Sequence, residues 1–168
     1  MKKAKYLANF SKLLKKSRNV HAKTLEDGRI AVTDGTVMLL LTEPEYIEHV
    51  LPAAKRLPAD MPTFSAEKLL AEANSERTLQ RSPVMYDIGD RTLVLYGAKA
   101  TEDESSAWAW FDEKLTACLP EDAYLASCGC FKPAHVYIWT GSQYTLIGVI
   151  CPVRAEDAAN DLAEKYLM

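Results

Sequence analysis

The first apolar residues of the chain recur at intervals of three and four positions, a spacing typical of one face of an α-helix. They are Tyr6, Leu7, Phe10, Leu13 and Leu14. A second face groups the charge, and the pattern predicts a helix that ends near Ser17. The residues of this second face are Lys5, Asn9, Lys12 and Lys16.

Two Asp-Gly pairs follow in the segment "EDGRIAVTDGTVMLLLT", which spans residues 26–42. Asp-Gly is favoured in two-residue hairpin loops, where both central residues need positive φ. Between the pairs, Ile30 and Val32 alternate with Arg29, Ala31 and Thr33, which indicates a strand with one solvated face. The sequence therefore predicts a helix followed by a three-stranded antiparallel meander.

The same order recurs in the last third of the chain. "AWAWFDEKLTACL" is predicted to be helical, with Trp108 and Trp110 too far apart around the helix for both to face the core. Three predicted strands, "AYLASCG", "AHVYIWT" and "YTLIGVICPVR", follow it. Helix and meander thus form two units, which predicts an α+β fold with helices on one face of a largely antiparallel sheet.

The region between these units, residues 43–100, contains five prolines and follows the pattern less closely. Short helices are predicted at 45–50 and after Ser65, and two strands, "VMYDI" and "RTLVLYG", are predicted on either side of Gly89-Asp90. We expect one domain over residues 1–154 and a helical tail over residues 155–168.

Charge is distributed unevenly along the 168 residues. The total of 20 basic and 23 acidic residues gives a net charge of −3, but the first 23 residues hold eight of the cations and no acid. The head is therefore +8 and the body −11. Such asymmetry favours a polyanionic partner, and the alternative interpretation is a solvated helix face.

The sequence offers little that points to catalysis or to a bound metal. No long apolar run or signal-peptide core is present, so we expect no membrane association, a cytoplasmic location and reduced cysteines. Cys128 and Cys130 do not have the two-residue spacing usual for zinc, and His135 alone does not complete a site. No histidine lies near a Gly-flanked serine or cysteine, and there is no Gly-rich phosphate loop. We therefore expect no enzyme, no metal and no cofactor.

Two segments resemble the DNA sliding clamps. "GRIAVTDGTVMLLL" is similar to the bacterial clamp segment in which a strand ends in Ala-Thr-Asp-Gly before the next strand starts. "FDEKLTACLPEDAYLASCGCFKPAHVYIWTGSQYTLIGVICPVR" resembles the closing unit of a clamp, whose last strand ends in Met-Pro-Val-Arg where this chain has Cys151-Pro152-Val153-Arg154. The two matches cover 58 of the 168 residues, about a third of the chain.

The resemblance implies a divergent, single-domain clamp-like module without enzymatic activity, of the kind that phages or mobile elements carry. Duplex DNA is its expected partner, bound through phosphate contacts from the first helix. The expected contact residues are Lys5, Lys12, Lys15, Lys16 and Arg18. The alternative is a protein-interaction or regulatory domain that keeps the clamp fold without binding DNA.

Encirclement of DNA is not expected from this chain. A clamp ring needs six such domains, and this chain has room for one. The predicted edge strands lie at residues 19–25 and 124–127, and the second is a poor template for pairing between subunits because it is short and borders Gly129. We therefore expect a monomer, or at most a dimer.

Overall fold

The computed structural model describes residues 2–71, 77–127 and 132–168. Its α-helices are α1 (Lys2–Lys16), α2 (Glu43–Glu45), α3 (Leu51–Ala54), α4 (Ala66–Ala71), α5 (Glu113–Thr116) and α6 (Asp157–Tyr166). A π-helical segment (Tyr46–Val50) joins α2 to α3, and a 3₁₀ turn (Pro58–Asp60) follows. Its strands are β1 (His21–Thr24), β2 (Ile30–Thr33), β3 (Val37–Leu41), β4 (Arg77–Ile88), β5 (Arg91–Ala98), β6 (Ala107–Asp112), β7 (Tyr124–Ser127), β8 (Ala134–Trp139) and β9 (Tyr144–Ile150).

The nine strands form one open sheet in the order β1-β2-β3-β9-β8-β7-β4-β5-β6. Every pairing between neighbours is antiparallel. The predicted α+β class with a largely antiparallel sheet is therefore confirmed. Among the described residues, no helix is long and apolar enough to cross a membrane.

The first predicted unit is present as α1 followed by the meander β1-β2-β3, but its loops differ from the prediction. Between β1 and β2, Leu25 N–H donates to the Arg29 carbonyl at 2.8 Å, which leaves three residues in the loop. Only the glycine of each pair has positive φ, +88° at Gly28 and +99° at Gly35. A type I turn followed by one left-handed residue explains the first loop, so Asp27 does not need the strained conformation.

The second predicted helix is wrong over most of its length. Residues 107–112 form strand β6, and only the single turn of α5 is helical. Trp108 and Trp110 consequently point to the same side of the sheet, whereas Ala109 and Phe111 point to the other. Both faces of β6 are covered, so its apolar run lacks the alternation that distinguishes a strand from a helix.

Strand β4 changes partners along its length, and this divides the sheet into two parts. Its first residues pair with β7, and residues from Gln80 onward pair with β5. The register shifts around Pro83, which has no N–H to give to the ladder. Ser82 replaces the missing contacts, since its hydroxyl donates to the Leu95 carbonyl at 2.9 Å and accepts from Val84 N–H at 3.1 Å.

Helices cover both faces of the sheet, which corrects the expectation that they lie on one face. The main core joins α1 to the inner faces of β2, β3, β5 and β6. On the opposite face, Ala66 of α4 packs with Met38 and Val149. Ala159 and Ala163 of α6 pack there against β5 and β6. The sheet is therefore buried on both sides over much of its area.

The edge strands are β1 and β6. The prediction was right for β1 and wrong for Tyr124–Ser127, because β7 lies between β8 and β4. Ala22 of β1 donates its backbone N–H outward to the Pro62 carbonyl at 3.1 Å. At the other edge, Val153 forms a backbone bridge with Trp110 of β6. Each edge therefore makes at least one backbone contact with a neighbouring segment.

Candidate nucleic-acid interface

The orientation of α1 is fixed by three apolar side chains and one amide. Leu7, Phe10 and Leu14 are only 3%, 0% and 2% exposed and belong to the main core. Asn9 Nδ2 donates to the Ala117 carbonyl at 3.0 Å, which ties α1 to the segment after α5. Because successive residues turn by about 100°, the face opposite this stripe must point to solvent.

The five residues predicted to contact DNA are all exposed. Lys5, Lys12 and Lys16 lie within about 30° of the direction opposite the buried stripe, in a row that spans about 16 Å along the helix. We call these three residues the lysine row. Lys15 lies about 80° from the centre of the row, and Arg18 follows the end of the helix. The structure therefore brings three of the five into one line and places the other two beside its end.

The charge of this face is not neutralised by neighbouring acids on the helix. Residues 2–16 include no Asp or Glu. Within the part of the chain that the structure describes, ion pairs join other residues, such as Lys23 with Glu67 and Arg29 with Asp27. Lys15 and Lys16 lie in the last turn of the helix, where the helix dipole stabilises positive charge. Lys5 and Lys12 have no such local reason, which makes them the more informative part of the row.

His21 and Arg56, which the sequence did not link to the predicted DNA contacts, lie next to Lys15 and Arg18. A recess of about 280 Å³ at the C-terminal end of α1 is lined by Lys15, Arg18, His21 and Arg56, and no acidic residue is among its lining residues. We call this the basic recess. The signal in the sequence was a Lys-Arg pair between Pro52 and Pro58. Only the packing of α1 against α3 brings Arg56 to the helix end.

The position of Arg56 is set by the end of α3. Lys55 has the left-handed φ of 55°, and its N–H donates to the Leu51 carbonyl at 2.7 Å. The hydroxyl of Tyr46, whose side chain is buried, donates to the Arg56 carbonyl at 2.7 Å. The backbone of Arg56 is thus held to the core, while its guanidinium lies at the surface.

The opposite end of α1 lies close to acidic residues. The pKa of Tyr6 is raised to about 12, first because the side chain is half-buried and then because the carboxylates of Glu45 and Asp122 disfavour its ionised form. The electrostatic character of the surface therefore changes along α1, from acidic neighbours near Tyr6 to the basic recess at the C-terminal end.

These acidic residues border an apolar cleft of about 880 Å³. Leu39, Leu41, Ile138 and Ile147 are among its apolar lining residues. Its acidic residues are Glu45, Glu121 and Asp122. We call this space the acidic cleft. An apolar interior with charged groups is typical of a binding site for an amphipathic ligand.

The acidic cleft exists because β3 and β9 diverge. Their pairing covers only Val37–Leu39 and Gly148–Ile150. Beyond that point Arg29 reaches across, and its Nη1 donates to the Leu146 carbonyl at 2.8 Å. The rest of β3 and of β9 is free to line the cleft.

Exposed aromatic side chains lie beside the cleft at the same end of the sheet. Trp139 and Tyr144, 52% and 57% exposed, pair across β8 and β9 with ring centroids 4.9 Å apart. Tyr124 of β7 is 39% exposed and packs edge-on against Tyr144 at 5.3 Å. Contiguous exposed aromatics of this kind mark contact surfaces more often than isolated ones do.

The described residues do not assemble a metal site, since no group of three His, Cys, Asp or Glu side chains among them could hold an ion. Cys128 and Cys130 lie outside the described residues. Burial raises the pKa of the Cys118 thiol to about 12, with a smaller contribution from the carboxylate of Asp34, so the reactive thiolate is disfavoured. His135 is buried, with Nε2 2.8 Å from the Leu69 carbonyl.

Comparison with known proteins gave no relative. The chain matches no protein-family model, no curated protein and no solved structure. The assignment of function therefore depends on the geometry of the chain's own residues, and above all on the lysine row.

Proposed function

We propose that this chain is a non-enzymatic, clamp-like module that associates with duplex DNA through the exposed face of α1. The lysine row carries the proposal. Its three lysines are exposed, collinear and free of acidic neighbours on the helix. Their side chains can therefore approach a rigid, linear polyanion together.

The length of the row suits a duplex. It extends over about 16 Å, and B-DNA presents about one phosphate charge per 1.7 Å of axis. About nine phosphates therefore lie along this length of duplex, and those on the side that faces α1 are within reach of the row and its flanking residues. Contacts of this kind are independent of sequence, because phosphates position a protein without reporting the bases.

The distribution of charge supports one orientation on DNA. The body carries −11 against +8 in the first 23 residues. A polyanion is attracted to the basic face and repelled by the rest of the surface, so encounters that present α1 are favoured. The neighbouring Lys15, Arg18 and Arg56 extend the basic surface beyond the end of the helix.

The clamp-like part of the proposal is supported by two observations. The "GRIAVTDGTVMLLL" and Cys151-Pro152-Val153-Arg154 segments resemble sliding clamps, and both belong to antiparallel strands or follow one directly. A single domain of this kind acts on one side of the duplex without encircling it. A phage or mobile-element origin and a cytoplasmic location are part of the same proposal.

A charge-reversal experiment tests the DNA assignment. Fluorescence anisotropy with a labelled duplex at low salt compares the wild type with a Lys5→Glu, Lys12→Glu, Lys16→Glu variant. The matched control is Lys68→Glu, Lys99→Glu, Lys165→Glu, which changes the net charge equally at three exposed lysines outside α1. We expect the control to bind like the wild type and the row variant to lose binding. If both variants lost binding equally, net charge alone would explain the effect, and the proposal would be contradicted.

A protein-interaction module is the second candidate function, and the acidic cleft favours it. Its apolar interior, its three carboxylates and the exposed aromatics beside it suit a partner that presents apolar and basic residues together. Capture from host lysate before and after nuclease treatment separates the two functions. Partners that persist after nuclease, and that are lost when Ile138 is changed to Asp, would favour this candidate.

A further inference from the structure

We infer that the basic recess binds a terminal phosphate, the phosphate monoester at the end of a nucleic-acid strand. The inference deepens the proposed function and rests on it, since the recess lies at the end of the lysine row. It assigns a ligand class to Lys15, Arg18 and Arg56, which are not part of the lysine row.

The lining of the recess matches a small dianion. Lys15, Arg18 and Arg56 contribute three permanent positive charges, and no Asp or Glu is among the lining residues. A volume of about 280 Å³ is larger than one phosphate group needs and admits its first sugar. Arginine suits this ligand, because the planar guanidinium forms paired hydrogen bonds with phosphate oxygens.

The concave shape favours a strand end over an internal phosphate. An internal diester carries one negative charge and continues into a sugar on both sides, so it meets an exposed face more readily than a recess. A monoester is attached on one side only and carries a charge of about −1.5 to −2 at neutral pH. The exposed lysine row and the recess therefore suit the two kinds of phosphate separately.

The helix end opposes this binding only weakly. The C-terminus of α1 contributes a partial charge of about −0.5, which is small beside the three cations. His21 adds a polar ring with a defined environment, since Nδ1 lies 3.3 Å from the Asn19 carbonyl and Phe64 packs edge-on at 6.4 Å. Its ring protons give a local spectroscopic signal for occupancy of the recess.

The test compares a short duplex that bears 5′-phosphates with the same duplex bearing 5′-hydroxyls. Competitive binding is measured for the wild type, for Arg56→Gln, and for Lys99→Gln, an exposed cation that does not line the recess. We expect the wild type and Lys99→Gln to prefer the phosphorylated duplex by about tenfold. Arg56→Gln should lose that preference while still binding the hydroxyl duplex.

A second arm distinguishes a strand end from free phosphate. Inorganic phosphate is titrated at constant ionic strength while the NMR signals of His21 are followed in the wild type and in Arg56→Gln. Saturable shifts that vanish in Arg56→Gln support the recess as a phosphate site even if no duplex binds, in which case the proposed function alone fails. Equal affinity for both duplexes together with no saturable shift would overturn the inference and leave the proposed function standing.

Discussion

Val153 donates its backbone N–H to the carbonyl oxygen of Trp110 at 2.7 Å, which joins the chain leaving β9 to the outer strand β6. These strands lie at the fourth and ninth positions of the sheet, so the contact requires the sheet to curl back on itself. The edge that a neighbouring subunit would need for strand pairing is thereby partly occupied. Strand β1, at the other edge, makes its own contact with Pro62.

The occupied edges lead to a prediction about oligomeric state. We expect the chain to be monomeric, because extension of the sheet between subunits needs unpaired N–H and C=O groups on both partners. Light scattering after size exclusion should give a mass near 18.7 kDa. A mass close to six times that value would restore a ring and contradict the one-sided mode of binding.

Gly148 sets the distance between β3 and β9, and its substitution is expected to be costly. A Cβ at this position would overlap the backbone carbonyl oxygen of Met38 and would press on Leu39. Since a backbone atom cannot rotate away, Gly148→Ala should lower the free energy of unfolding by about 3 kcal/mol. Urea denaturation followed by circular dichroism measures this.

Gly97→Ala is the matched control for that experiment. The Cβ there would lie 2.7 and 2.9 Å from the two terminal methyl carbons of Leu167, at the far end of a flexible side chain, and 3.3 Å from the backbone oxygen of Ala107. Leu167 can change its rotamer, so we expect a cost of about 1 kcal/mol. The two variants should therefore differ clearly, and equal stabilities would show that the β3–β9 approach is looser than described.

The raised pKa of Tyr6 predicts a loss of stability in alkaline solution. An unfolded tyrosine ionises near pH 10, whereas Tyr6 in the folded chain ionises at about 12. The contribution of neutral Tyr6 to the free energy of unfolding is complete below pH 10 and is lost as the pH rises toward 12. The decrease stays below the limit of about 1.4 kcal/mol per pH unit for one group, because solvent that reaches the half-buried ring screens the unfavourable charge.

Tyr6→Phe tests this dependence, with Tyr166→Phe at an exposed position of α6 as the control. The free energy of unfolding of Tyr6→Phe should fall less steeply between pH 10 and 12 than that of the wild type. Absorbance of tyrosinate should also lose one late-titrating group in this variant. Identical pH profiles for all three proteins would mean that the surroundings of Tyr6 do not oppose its ionisation.

The first half of the fold could be predicted because local signals agreed there. The apolar spacing of α1 and the two glycine turns each indicate one conformation, and their order gives the meander. Strand β6 could not be recognised, since Trp110 and Phe111 are buried on opposite faces by α6 and by the main core. Burial on both faces depends on elements that are distant in the sequence. It removes the alternation of apolar and polar residues by which a strand is recognised.

The site was predictable to a similar extent. The lysine row follows from helical spacing within one element, so the sequence alone brought Lys5, Lys12 and Lys16 together. Arg56 belongs to another segment and reaches the end of α1 only through the packing of α3 and the anchoring hydroxyl of Tyr46. The acidic cleft depends on the divergence of β3 and β9, which no local pattern reports.

The salt dependence of DNA binding tests the central claim most directly. The slope of log K against log salt concentration reports how many phosphates the protein neutralises, at about 0.9 per contact on B-DNA. For a Lys5→Gln, Lys12→Gln, Lys16→Gln variant, we expect the magnitude of the slope to fall by about 3 relative to the wild type. The corresponding Lys68, Lys99, Lys165→Gln protein should keep the wild-type slope. Equal slopes for the row variant and the wild type would contradict the assignment of α1 as the surface that contacts DNA.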